Sequence, residues 1–208
     1  MSHNGSVCGG VAVTAAVRGL QIRGLGKLPG MPPVLIAMCG LGFAGKSVLA
    51  NSLSGELGIR LLSYDFDIYW AYRHLVPLGS SVAAEYDLVQ HIARKEIGAL
   101  LVAGESLIYD DLLLERDDRS KLAAVTHAHG AELVLVYLDT PLAVINQRRA
   151  ENERTGTRTS VGDAKMQLDA SLLEPPDRTE QAIYVRPADT VADIVDRIRS
   201  RFKAHRPV

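Results

Sequence analysis

The chain is 208 residues long, the size of a single domain whose core needs no auxiliary staple. Its 23 Lys and Arg against 24 Asp and Glu leave a net charge of −1, which excludes the global basic field that draws proteins to nucleic acid or anionic lipid, so any anion binding has to be local. Cys8 and Cys39 have no metal-ligand spacing, the 6 histidines form no HxxxH or Cys/His cluster suited to zinc, and the apolar stretches fall short of the ~20 residues of a membrane span, so a reducing, cytoplasmic setting is expected.

Residues 1–30 read as an N-terminal extension, because Gly9-Gly10, Gly19, Gly24, Gly26 and Gly30 break every periodic run, and they lack the charged start and apolar core of a secretory signal. Val11–Thr14 and Leu20–Ile22 fit a short edge hairpin; an upstream tail with Met31 as the true start fits as well. Residues 31–208 are then the folded domain. The apolar run Pro33–Cys39 predicts a strand over 34–39 and leads into Gly40-Leu41-Gly42-Phe43-Ala44-Gly45-Lys46-Ser47, which fits the phosphate-binding pattern G-x-x-x-x-G-K-[ST]. Glycines let the backbone curl so that successive N–H groups from Gly40 to Val48 point at one anion. Lys46 reaches the β/γ-phosphates of ATP, and the Ser47 hydroxyl is placed to ligate Mg²⁺. Apolar spacing of three and four continues through Leu53, so a helix over 46–57 puts its N-terminus under the phosphates.

Strand and helix then alternate: strand 60–64, helix near 82–95, strand 99–103, helix near 111–128, strand 132–138, helices 141–152 and 161–172, strand 182–186 and helix 190–203. Ala99-Leu100-Leu101-Val102-Ala103 and Leu133–Leu138 are continuously apolar, as strands buried on both faces of a parallel sheet are. The expected fold is α/β, a three-layer sandwich around a five-stranded parallel sheet with right-handed crossovers. Its ligands bind beyond the strand C-termini, where the phosphate loop lies.

Four groups carry candidate chemistry. Asp65 and Asp67, at alternate positions past the second strand, face one side of an extended chain. A kinase needs one carboxylate for Mg²⁺ and another to orient or deprotonate the attacking hydroxyl, and either acid fits the base. Glu105, after the 99–103 run, is placed for the metal shell, a substrate contact or a helix cap, while Asp110, Asp111, Glu115, Asp117 and Asp118 read as a solvated helix face. Arg148, Arg149, Arg154 and Arg158 crowd an Arg-rich segment, 148–160, that reads as a lid spreading positive charge over a transferring phosphoryl group. Surface ion pairs with Glu151 and Glu153 are the alternative for any one of them. Ser160 and Asp163 supply an N-cap and an acid that restart a helix beyond it. Trp70, Tyr69, Tyr72 and Tyr86 fit either an aromatic wall for a ring-bearing acceptor or core packing.

In this order the motifs resemble the small bacterial P-loop kinases, which share the nucleoside monophosphate kinase fold and include gluconate, shikimate and chloramphenicol kinases. The chain is similar to the AAA-labelled family of predicted kinases over residues 33–204, through the Gly-Lys-Ser loop, Ser63-Tyr64-Asp65, Leu138-Asp139-Thr140-Pro141, Asp163-Ala164 and Glu174-Pro175-Pro176. The resemblance implies ATP and Mg²⁺ bound by Lys46 and Ser47, Asp65 as the carboxylate near metal and acceptor, Arg148 as the first lid arginine, and a parallel for Asp67 in the Asp-x-Asp of shikimate-type kinases. In two places the chain departs from it: the 99–103 run lacks the usual Asp after it, and the second lid arginine falls at Asn152. The expected function is transfer of the ATP γ-phosphate to a hydroxyl of a small molecule, with Lys46, Asp65, Asp67 and Arg148 catalytic, Arg148 and Arg149 on the nucleotide, and Ser47 and Asp65 on the metal. A nucleotide, nucleoside or polynucleotide kinase and a nucleotide-dependent switch are the alternatives. Expected partners are a small acceptor, with no membrane or nucleic acid, and a monomer or homodimer.

Overall fold

In a computed structural model, which describes residues 32–158 and 161–203, five parallel strands lie in the order β2-β3-β1-β4-β5. The central strand β1 (Val34–Cys39) is buried along its whole length. Its side chains alternate between two cores, as a period of two requires. Val34, Ile36 and Met38 pack toward Leu49 and Leu53 of α1 (Lys46–Leu57) and Ile194 and Ile198 of α7 (Val191–Lys203). Leu35, Ala37 and Cys39 pack toward Val89, Ala93 and Ile97 of α3 (Val82–Val102) and Leu122 of α4 (Arg116–Ala128). Two helix layers therefore cover one sheet, as expected. The Cys39 thiol donates to the Leu113 carbonyl at 3.2 Å, and burial pushes it up to about 12. Among the described residues no helix is long and apolar enough to cross a membrane. The extension, its hairpin, Cys8 and Ser160 lie outside the described residues.

One expected strand is a helix. Residues 99–103 form the last turn of α3 and its cap, and the third strand is β3 (Leu107–Asp110), pairing with β2 (Arg60–Ser63) on one side and β1 on the other. Val89, Ala93, Ile97 and Leu101 recur every four residues on the buried face of α3, while Val102 is exposed, so the apolar run is the end of a helical stripe. A Schellman motif stops it: Gly104, at φ 76, donates to the Leu101 carbonyl at 2.9 Å, and Glu105 donates to that of Leu100 at 3.0 Å. Residues 111–115, expected at the start of a helix, are a loop before α4.

The remaining bounds shift by only a few residues: β4 (Glu132–Leu138), α5 (Leu142–Thr155), α6 (Asp163–Leu172) and β5 (Ile183–Val185). Gly162, with no side-chain cap, precedes α6. After β2 the backbone winds at once into a π-helical turn, Tyr64–Tyr69, followed by the short helix α2 (Trp70–Tyr72). Asp65 and Asp67 are therefore not alternate residues of an extended strand.

Candidate active site

The phosphate loop, residues 40–47, joins the C-terminal end of β1 to α1 at the middle of the sheet. Gly40 at φ 135 and Gly45 at φ 106 supply the bends, and Phe43 holds φ 62 despite its side chain. A Cβ on Gly40 would lie 3.1 Å from the Leu138 carbonyl, so β4 needs glycine there. Two side chains brace the outside of the loop through three hydrogen bonds: Thr140 Oγ1 donates to the Ala44 carbonyl at 3.1 Å, and Arg148 Nη1 donates to the Phe43 and Ala44 carbonyls at 3.0 and 2.8 Å. The carbonyls thus turn outward, and no side chain caps the N-terminus of α1, which leaves its first N–H groups for an anion. Lys46 is 7 % exposed and its Nζ donates to the Leu41 carbonyl at 2.8 Å. Burial pulls its amine below the ordinary 10.5 against the opposing pull of Asp110 and Asp111.

Moving the third strand supplies the acid that the sequence seemed to lack. Asp110 ends β3, and its carboxylate meets the Ser47 hydroxyl within the field of Lys46, Asp65 and Arg158; burial raises its pKa. Ser47, Asp110 and Asp65 make an oxygen-only donor set, and no group of three His, Cys, Asp or Glu suited to a metal occurs among the described residues. Such a set fits Mg²⁺, which keeps most of its waters, better than a dedicated protein cage. Asp111, the next residue, is 7 % exposed. It accepts from Gln90 Nε2 at 2.7 Å, Tyr109 OH at 3.1 Å and its neighbour's Leu112 N–H at 2.7 Å, and burial lifts its carboxyl to about 6. Asp110 and Asp111 are therefore site residues and not a solvated helix face. The missed signal was Leu107-Ile108-Tyr109-Asp110, an apolar run closing on an acid.

The other expected acids separate. Asp65 lines the cavity beside the loop. Asp67 turns back to accept the Ser63 N–H at 2.7 Å, an exposed contact that closes its own turn. Glu105 enters β3 at the opposite end from the loop, outside the lining of the cavity beside it, and lies 3.8 Å from Arg60.

The arginines divide as well. Arg148 braces the loop. Arg149 donates to the Val161 carbonyl at 3.0 Å and pairs with Asp163 at 2.6 Å, tying α5 to α6. Arg154 pairs with Glu151 at 2.5 Å on the surface. Arg158 lies over the Phe43 ring, 4.5 Å from its centroid, beside both cavities that flank the loop. The buried Asn152 holds it there: Nδ2 donates to the Arg158 carbonyl at 3.0 Å, and Oδ1 accepts from Arg158 N and Thr157 Oγ1, each at 3.0 Å. Where the resemblance calls for an arginine, the chain has the amide that positions one six residues on.

Of the aromatic residues, Tyr86 reaches the cavity and Tyr64, not singled out from sequence, joins it. Trp70 is exposed, with Arg73 4.7 Å from its centroid, and Tyr72 is in the core. One cavity, 330 Å³, runs from Lys46 and Ser47 to Tyr64, Tyr86, Asp111 and Asp169. The other, 690 Å³, lies on the far side of the loop between α1, α5 and α7, with Val144, Val185 and Ile194 in its apolar wall.

A family model described as an AAA domain matches residues 35–176, more than half of the chain, and the chain belongs to that family. It has the fold of the small P-loop kinases. A sugar kinase from Janibacter superposes with a TM-score of 0.57 at 18% identity, over 83% of this chain and 95% of that one. The gluconokinase from Sinorhizobium meliloti gives 0.58 at 21%, over 84% and 99%. The Kti12 protein of Chaetomium thermophilum, solved with ADP-AlF3, gives 0.66 at 14%, over 83% and 100%. A comparison with curated proteins finds no match.

Proposed function

We propose that the protein is an ATP-dependent phosphotransferase that moves the γ-phosphate to a hydroxyl of a small molecule. One observation carries this reading: the phosphate loop and the Ser47–Asp110 pair form one end of a 330 Å³ cavity whose wall includes Asp65. A phosphate loop and a candidate base lining one cavity support transfer over simple hydrolysis. The 690 Å³ cavity across the loop offers apolar surface for the nucleoside. The Kti12 relative, solved with ADP-AlF3, supports nucleotide as the ligand.

In the proposed reaction the acceptor hydroxyl oxygen bonds to the γ-phosphorus as the bond to the β,γ-bridging oxygen breaks. ADP departs with that electron pair, and the hydroxyl proton passes to Asp65. Mg²⁺ held near Ser47, Asp110 and Asp65 supplies neutralisation of phosphate charge when bound. The α1 N–H groups and Lys46 hold the transferring group, Arg158 brings a further guanidinium to it, and Arg148 keeps the loop in shape. Segment 148–160 acts as the lid that excludes water. The test is a metabolite screen for ATP-dependent gain of one phosphate by mass, run beside Lys46→Ala and Asp65→Asn. Transfer that survives both variants refutes the assignment. ATP hydrolysis that no acceptor accelerates moves the protein to the switch reading.

A further inference from the structure

The acceptor end of the cavity has an unusual charge arrangement. Asp65, Asp111 and Asp169 line it, together with the rings of Tyr64 and Tyr86, whose centroids lie 6.1 Å apart. Of the basic side chains lining the cavity among the described residues, Lys46 and Arg158 belong to the phosphate end in the proposed reaction, and Lys165 is in an ion pair with the buried Asp169. Asp111 is held by three neutral donors, an amide, a phenol and a backbone N–H, with no cation among its hydrogen-bond partners. A buried carboxylate in that position is stabilised by an incoming positive charge and repels an incoming negative one.

Resting on the phosphotransferase reading, we propose that the acceptor is a ring-sized hydroxyl compound bearing a protonated amine, of the amino-sugar or aminocyclitol class, with its ammonium at Asp111 beside the Tyr64 and Tyr86 rings. The cavity, opening from the phosphate loop, is the size of one such ring beside a phosphoryl group. The aromatic faces add a cation–π contribution that a neutral polyol does not receive. An acceptor that carries a carboxylate or phosphate meets Asp111 and Asp65 at this wall and competes with the nucleotide phosphates for Lys46 and Arg158. Asp111 discriminates between acceptors, and Asp65 remains the base.

The test uses the full chain with ATP and Mg²⁺ and matched acceptors that differ in charge: glucosamine against N-acetylglucosamine, deoxystreptamine against inositol, and gluconate as the anion. The expected result is a kcat/KM at least tenfold higher for each amine than for its neutral partner, with gluconate lowest. Asp111→Asn erases that advantage through KM rather than kcat, and Asp111→Glu restores part of it. The wild-type pairs stand without either variant, should a variant misfold. ATP binding, measured on the same samples by calorimetry, separates the two failures. No ATP binding, or hydrolysis that no acceptor accelerates, sinks the phosphotransferase reading and the proposal with it. ATP binding with transfer that favours gluconate, ignores N-acetylation or reaches no amine overturns the cationic acceptor alone.

Discussion

Asn152→Ala tests how Arg158 is held. The side chain is 5 % exposed and makes three hydrogen bonds to Thr157 and Arg158, each at 3.0 Å. At about 1 kcal/mol apiece, their loss loosens the 157–158 turn by about 3 kcal/mol, or roughly a hundredfold in its closed-to-open ratio. The Arg158 peptide N–H is the direct reporter, because its acceptor is Asn152 Oδ1. Hydrogen exchange at that amide should rise about a hundredfold while the amides of β1 and β4 keep their protection. The turn opens locally, so the melting temperature should fall by less than about 4 °C, smaller than a global loss of that size would give. Phosphate transfer should lose kcat with ATP affinity largely kept, since Arg148 and Lys46 contact the loop independently of Asn152. Asn152→Asp keeps an acceptor for Arg158 N but sets a carboxylate against the Arg158 carbonyl, and should behave as an intermediate. Arg158 exchange within threefold of wild type in Asn152→Ala would show that something else holds the 157–158 turn.

Asp110→Asn should raise the Mg²⁺ concentration for half-maximal transfer by tenfold or more, while ADP affinity without metal, measured by calorimetry, changes less than threefold. Asp65→Asn should cut transfer by a factor of about 100 or more, the usual contribution of a positioned base. Asp67→Asn weakens only the turn at Ser63 and should leave kcat within threefold; the reverse pattern would make Asp67 the base. Burial holds the Asp111 carboxyl at about 6 against an ordinary 3.8, so the folded protein keeps a proton that the unfolded chain has released. Its contribution to stability is therefore present at low pH and is lost as pH rises from about 3.8 through 6, a difference of about 3 kcal/mol. Denaturant unfolding of wild type and Asp111→Asn at pH 4 and pH 7 should show that difference between the two pH dependences, with wild type the more penalised at pH 7.

The misplacement of the third strand shows what a local pattern can and cannot carry. Ala99–Ala103 is more apolar than Ser106–Asp110, so a search for buried strands picks it first. Both runs are buried segments, and only the four-residue recurrence from Val89 to Leu101, with Gly104 as its stop, separates them. That single displacement hid Asp110 and Asp111 as a presumed helix face and promoted Glu105, which the structure puts at the far end of β3. The arginine-rich segment posed a similar difficulty: four arginines were legible as a group, but that Arg148 and Arg158 reach the loop while Arg149 and Arg154 do not depends on Asn152, Asp163 and Glu151 as partners. Asp65 and Asp67 read as equivalent because their separation assumed an extended chain, and the π-helical turn directs them differently.

By itself the sequence determined the phosphate loop, β1, α1, β4 and the α/β class, because these rest on interactions between near neighbours: glycine bends, a helix start and an alternating buried strand. The tertiary structure decided the acids and the arginine of the site. Asp110 meets Ser47 because β3 pairs beside β1, and Arg158 meets Phe43 because α5 returns over the loop. Those juxtapositions join residues distant in sequence, and the burial that shifts Lys46, Asp110 and Asp111 exists only once the two helix layers close on the sheet.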